Sequence, residues 1–128
     1  MGGALSFAAV GLGAVLGAWL RWGLGLWLAG AHSKVQVGTL VANLAGGYLI
    51  GLALGFFAAS PAIAPEWRLF ATTGFLGALT TFSTFSGEAL VLLQRGEYGW
   101  ALAHSALHLA GSIFCCIAGF ASWRAISS

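Results

Sequence analysis

Gly74-Phe75-Leu76-Gly77-Ala78-Leu79-Thr80-Thr81-Phe82-Ser83-Thr84-Phe85-Ser86 is the least membrane-like run in a strongly membrane-like chain. It holds two glycines, then five hydroxyl side chains, and two phenylalanines three apart in a Phe-Ser-Thr-Phe pattern. That mixture suits neither a lipid-facing helix nor an ordinary apolar core. Backbone that leaves the helix at bilayer depth must be covered by protein or border water, because unpaired N–H and C=O groups cost several kcal/mol each in hydrocarbon. The stretch therefore predicts a broken helix that carries the functional site.

The rest of the composition sets the solvent. Of 128 residues, 59% are hydrophobic and only 6% charged, with a mean hydropathy of +0.93, far from the roughly one-quarter charged makeup of soluble domains. A membrane crossing takes about 20 residues, so the length predicts an all-α membrane protein. It would be a single domain, 1–128, of four transmembrane helices near 4–31, 35–59, 67–93 and 98–124, the third broken mid-membrane. The net charge of +2 comes from scattered groups, which lack the clustered basic patch of nucleic-acid binding. Cys115 and Cys116 are adjacent in an apolar run; they cannot supply separated zinc ligand pairs and read as small buried side chains.

In the first segment, Arg21 interrupts the apolar run between Trp19 and Trp22. It either snorkels into an interfacial aromatic belt or faces an aqueous vestibule that attracts anions. Ala29-Gly30-Ala31 mimics a signal-peptidase site, but no Lys or Arg precedes the run and the run is too long. The second segment has no charge from Val35 to Ala59. Gly47, Gly51 and Gly55 recur every four residues there, forming a stripe for close helix packing. Asn43 offers two donors and an acceptor, for an interhelical hydrogen bond or for a permeating anion, and Thr39 extends its polar face by one turn.

Helical spacing puts Phe82 and Phe85 on one face of the third segment. Aromatic edges carry partial positive charge and can meet an anion, although such pairs usually just pack. Glu88 reads first as a solvated helix-end carboxylate, with pairing to Arg21 or a vestibule role as alternatives. In the fourth segment His104, His108, Ser112 and Cys116 recur every four residues along one face. The two histidines suit a metal by spacing, but the sequence puts no acidic third ligand near them; a donor track or an interhelical contact is the preferred reading.

Four crossings place Arg68 and Arg124 on one side and Lys34 and Arg95 on the other, with Arg21 nearer the second group. Orientation follows the Lys and Arg excess, and here the excess is almost nil. Insertion in both orientations and an antiparallel homodimer are the expectation, with the glycine faces as contact surfaces.

The runs Gly38-Thr39-Leu40-Val41-Ala42-Asn43-Leu44, Gly74-Phe75-Leu76-Gly77, Thr80-Thr81-Phe82-Ser83-Thr84-Phe85-Ser86, and His108 to Ser112 resemble the Fluc (CrcB) family of fluoride channels. Gly17-Ala18-Trp19-Leu20-Arg21-Trp22 extends that resemblance to essentially the whole chain. It implies a passive, fluoride-selective channel in the bacterial inner membrane, a dual-topology antiparallel homodimer that exports fluoride and relieves its toxicity. By motif, Phe82 and Phe85 would contact fluoride, Asn43 would be a pore-lining donor, and Ser112 would belong to a hydroxyl track. Thr39, Thr81, Ser83, His104 and His108 complete the candidate pathway, and Arg21 and Glu88 are vestibule candidates. The resemblance further implies a structural sodium ion at the dimer interface, held by the backbone carbonyls of Gly77 and Thr80. His104 and Cys116 stand where Tyr and Thr are common in relatives.

A proton-coupled small multidrug transporter has the same outline, but needs a membrane carboxylate that the first helix lacks. A structural membrane subunit would leave the hydroxyl-rich break without a purpose. An enzyme is disfavoured, since no nucleophile, base and orienting group converge at a recognisable spacing.

Overall fold

The computed structural model describes residues 3–30 and 34–128. In chain order the elements are α1 (Gly3–Trp27), α2 (Val37–Ala58), α3 (Pro65–Arg68), a π-helical segment (Leu69–Leu76), α4 (Gly77–Leu79), α5 (Phe82–Gln94) and α6 (Tyr98–Ser127). Four helical stretches are long and apolar enough to cross a membrane: Gly3–Trp27, Val37–Ala58, Pro65–Gln94 and Tyr98–Ser127. The third is the interrupted one, with α3, the π turns and α4 before the break and α5 after it.

The boundaries differ from the expected ones for local reasons. The first helix ends at Trp27, short of position 31, which lies outside the described residues. Leu28 N–H still reaches the Leu24 carbonyl, but Ala29 N–H bonds only three residues back, to Leu26. The second begins after Gln36, whose backbone is extended (φ −70°, ψ 109°). The third starts earlier than expected because Pro65 takes the first helical position, where its missing N–H costs nothing.

Close approach of backbones builds the bundle. A Cβ at Gly47 would press on the Ser112 carbonyl, one at Gly51 would overlap the Cys116 carbonyl, and one at Gly55 would strike the Trp123 ring. The glycine stripe of α2 therefore lies on α6, as its four-residue period implies. A second pair of glycines, Gly13 and Gly17, meets the carbonyls of Phe70 and Phe75 and sets α1 against the π segment in the same way. Small residues permit this where no hydrophobic force drives helices together.

Large apolar side chains instead face outward: Phe7, Trp27 and Phe114 are all more than 70% exposed. The packed interior is correspondingly small, centred on Ala42, Leu76 and Leu79. Cys115 and Cys116 are free thiols and half-buried rather than buried. At one end of the bundle Lys34 pairs with Glu97; at the other the Arg68 guanidinium lies over the Phe57 ring, 5.3 Å from its centroid.

Gly51→Val should lower stability by about 1–3 kcal/mol, the usual cost of overpacking, because the Cys116 backbone cannot yield. Gly99→Ala, where a Cβ meets nothing within 4 Å, should stay within about 0.5 kcal/mol of the parent. Thermal unfolding of purified protein in detergent distinguishes the two.

Candidate functional site

The break falls at Thr80 (φ −88°, ψ 154°) and Thr81 (φ −151°, ψ 122°). Thr80 ends the preceding helix with its own backbone N–H and its hydroxyl, both donating to the Leu76 carbonyl. In an unbroken helix Thr81 N–H would bond to the Gly77 carbonyl. It donates instead to Asn43 Oδ1 at 2.8 Å, while Asn43 Nδ2 donates back to the Thr81 carbonyl at 3.1 Å. One carboxamide thus satisfies both polar groups of the extended residue.

Its second amide hydrogen goes to His108 Nδ1, 2.9 Å away. This geometry fixes two assignments. Thr81 N can only donate, so Oδ1 must face it and Nδ2 must face His108. Nδ1 of His108 therefore accepts, and the neutral imidazole carries its proton on Nε2. Asn43 and His108 are both at least nine-tenths buried, with 9% and 4% exposure.

The hydroxyls of the stretch divide between structure and cavity. Thr81 Oγ1 accepts from Thr84 N–H at 3.1 Å and caps α5. The Ser86 hydroxyl donates to the Phe82 carbonyl of its own helix. Ser83 Oγ lies 3.3 Å from Thr81 Oγ1 on the exposed side. Arg21 donates from Nε to the Ala78 carbonyl at 3.0 Å, so it is turned toward the break and does not simply snorkel outward.

Phe82 and Phe85 share a face as their spacing requires, with ring centroids 5.3 Å apart. Phe85 stacks on His104 at 5.1 Å and lies 4.8 Å from His108. Phe82 is 76% exposed. A cavity of about 440 Å³ opens beside them, bordered by Asn43, Thr81, Phe82, Phe85, His108 and Ser112, with Gly77 and Thr80 on its rim. These were all read from the sequence, and the fold brings them together.

Thr39, Ser83 and His104 do not border this space. His104 is fully buried behind Phe85, its Nε2 3.2 Å from the Phe85 carbonyl. Thr39 donates its hydroxyl to Glu88 Oε2 at 2.6 Å. Glu88 is therefore not a solvated helix-end carboxylate and does not pair with Arg21. Its other oxygen lies 3.7 Å from His104 Nε2. The acid absent from the vicinity of the histidines in sequence is thus supplied across the helix interface. Thr72 and Gly46 also border the cavity and were missed; Thr72 belongs to a Thr-Thr pair inside an apolar run, a usable signal.

The cavity is lined by the Phe82 and Phe85 side chains, hydroxyls, an amide and an imidazole together with the aliphatic Ile50, Leu76, Leu109 and Ile113, with no Asp, Glu, Lys or Arg among the described residues on its border. Such a surface can offer donors to a small anion without trapping it by full charge. A family model described as CrcB-like protein, Camphor Resistance (CrcB), matches residues 8–120. The chain belongs to the CrcB family.

Its relatives in that family match end to end. A fluoride-specific ion channel FluC of Cupriavidus pinatubonensis (strain JMP 134 / LMG 1197) is 56% identical over 98% of this chain and 99% of its own length. One from Pseudomonas putida (strain W619) is 57% identical over 95% of this chain and 96% of its own. Another, from Marinobacter nauticus (strain ATCC 700491 / DSM 11845 / VT8), is 54% identical over 94% and 96%. The family resemblance read from the sequence is borne out. CrcB membership also fits the four apolar spans, and it is membership of a channel family, not of an enzyme family.

Asn43→Leu keeps the approximate side-chain volume but strips partners from the Thr81 N–H, the Thr81 carbonyl and His108 Nδ1. Stranding buried polar groups costs about 1–3 kcal/mol each where water cannot reach them. A fall in unfolding temperature clearly larger than that of Thr39→Val should follow, read by thermal unfolding in the same detergent.

Proposed function

We propose that this chain is a passive, fluoride-selective channel that lets fluoride leave the cell and so relieves its toxicity. The observation that carries this reading is the pairing of a charge-free cavity at the helix break with near full-length identity to relatives named for fluoride conduction. Fluoride is a small, hard anion whose hydration must be replaced by fixed donors weak enough to release it. The edges of Phe82 and Phe85 supply such contacts, as does the Ser112 hydroxyl.

Both amide hydrogens of Asn43 are engaged by Thr81 and His108. Asn43 therefore acts on the pathway through its neighbours, holding the Thr81 backbone and the His108 ring that border the cavity. Thr81 shapes the wall through the break; Thr39, Ser83 and His104 support it from outside. Arg21, turned to the Ala78 carbonyl, and Glu88 flank the entrance.

The working unit in this reading is an antiparallel, dual-topology homodimer in the bacterial inner membrane. The near balance of Lys and Arg between the two sides supports insertion in both orientations. Sodium fits the same break: Thr81 N–H has left the Gly77 carbonyl for Asn43, and hard cations take oxygen ligands. The carbonyls of Gly77 and Thr80 would hold it at the dimer interface, where it would be structural.

Fluoride efflux from proteoliposomes, with valinomycin releasing the potassium counter-charge and chloride followed in parallel, tests the reading. Rapid, valinomycin-dependent fluoride efflux without chloride efflux is expected. Phe82→Ile should cut the fluoride rate at least tenfold while the protein still elutes as a dimer. Equal fluoride and chloride rates, or no flux from dimeric protein, would contradict the proposal.

A further inference from the structure

We infer that Glu88, His104 and His108 form a binding site for a divalent transition-metal ion, zinc foremost, whose occupancy obstructs the ion path at His108. One ligating atom from each of the three lies within 4.8 Å of the other two. Among the described residues, Glu88 Oε1, His104 Nδ1 and His108 Nε2 are buried atoms without a hydrogen-bond partner, so each residue of the cluster contributes one orphaned polar atom. The histidines are one turn apart on α6 with ring centroids 4.5 Å apart, and Glu88 reaches them from α5. Two imidazoles and a carboxylate are a zinc ligand set that leaves a fourth position open.

One of the ligands stands ready. Glu88 is held through Oε2 by the Thr39 hydroxyl, leaving Oε1 to coordinate. His104 Nε2 faces the Phe85 carbonyl, which only accepts, so the proton sits on Nε2 and the lone pair on Nδ1; because it is Nε2 that lies 3.7 Å from Glu88 Oε1, Nδ1 reaches the metal only after the ring turns. Ligand atoms around tetrahedral zinc stand about 3.3 Å apart, and side-chain rotation closes the remaining gap.

The third ligand is conditional. Zinc at His108 Nε2 requires the imidazole proton to move from Nε2 to Nδ1. There it would meet Nδ2–H of Asn43, which cannot turn over because Oδ1 holds Thr81 N–H. Metal binding and the Asn43–His108 hydrogen bond thus exclude each other. An aspartate at position 43 would remove the conflict: one oxygen would keep Thr81 N–H and the other would accept from Nδ1–H, the carboxylate–histidine–metal arrangement that raises affinity by about 10–100-fold.

The test is zinc binding by tag-free, dimeric protein in detergent, with a chromophoric chelator as competitor and elemental analysis for stoichiometry, alongside fluoride efflux from proteoliposomes. Only the flux readout rests on the fluoride reading. The expected result is one zinc per chain, lost in His104→Phe and in Glu88→Gln, and at least tenfold tighter in Asn43→Asp, with efflux slowed by zinc and restored by EDTA. Zinc bound without any fluoride flux would uphold the site and overturn the channel reading instead. Absence of zinc from the parent protein, equal binding by His104→Phe, or weaker binding by a folded Asn43→Asp would overturn the site.

Discussion

Thr81 is extended in the middle of an apolar helix, and its backbone has to find partners that the helix no longer provides. The carboxamide of Asn43 provides both, across the interface between α2 and the third crossing. Few side chains could do this. It takes one acceptor and one donor side by side, matched to an N–H and a C=O on a single residue, and only an amide offers both without charge. Because the remaining Nδ2 hydrogen is spent on His108, the same group that closes the break also sets the tautomer of the imidazole next to the cavity. Breaking the helix and fixing the His108 ring are one event here.

The surrounding packing makes that event possible. Gly46, Gly47 and Gly51 bring the backbone of α2 against its neighbours; a Cβ at Gly46 would overlap Thr80 itself. Gly13, Gly17 and Gly74 do the same where α1 meets the π segment. The π turns of Leu69–Leu76 alter the helical register just before the break, a placement common near functional sites. With so little apolar side chain inside, the position of Thr81 depends on backbone contact and on the Asn43 amide more than on a hydrophobic core.

Local periodicity was legible in the chain. The four apolar spans, the stripe at Gly47, Gly51 and Gly55, the shared face of Phe82 and Phe85, and the polar break at Thr80 and Thr81 are short-range patterns, and each stands in the structure where the pattern puts it. Pairings across helices were not legible. The meeting of Thr39, Glu88 and His104 joins three different helices, and no spacing within one helix specifies it. Nor does an asparagine in a sequence show how many of its hydrogens are already engaged; those of Asn43 go to Thr81 and His108. The end of α1 and the inward turn of Arg21 likewise depend on contacts made only after folding.

Nitrogen-15 magnetic resonance of the imidazole side chains, in protein labelled at histidine and assigned by His108→Gln, examines this account most directly. His108 should be neutral with a bare Nδ1 and a protonated Nε2, in fluoride as without it. A His108 protonated at Nδ1 would contradict the claim that Asn43 closes the break and fixes the histidine in a single arrangement.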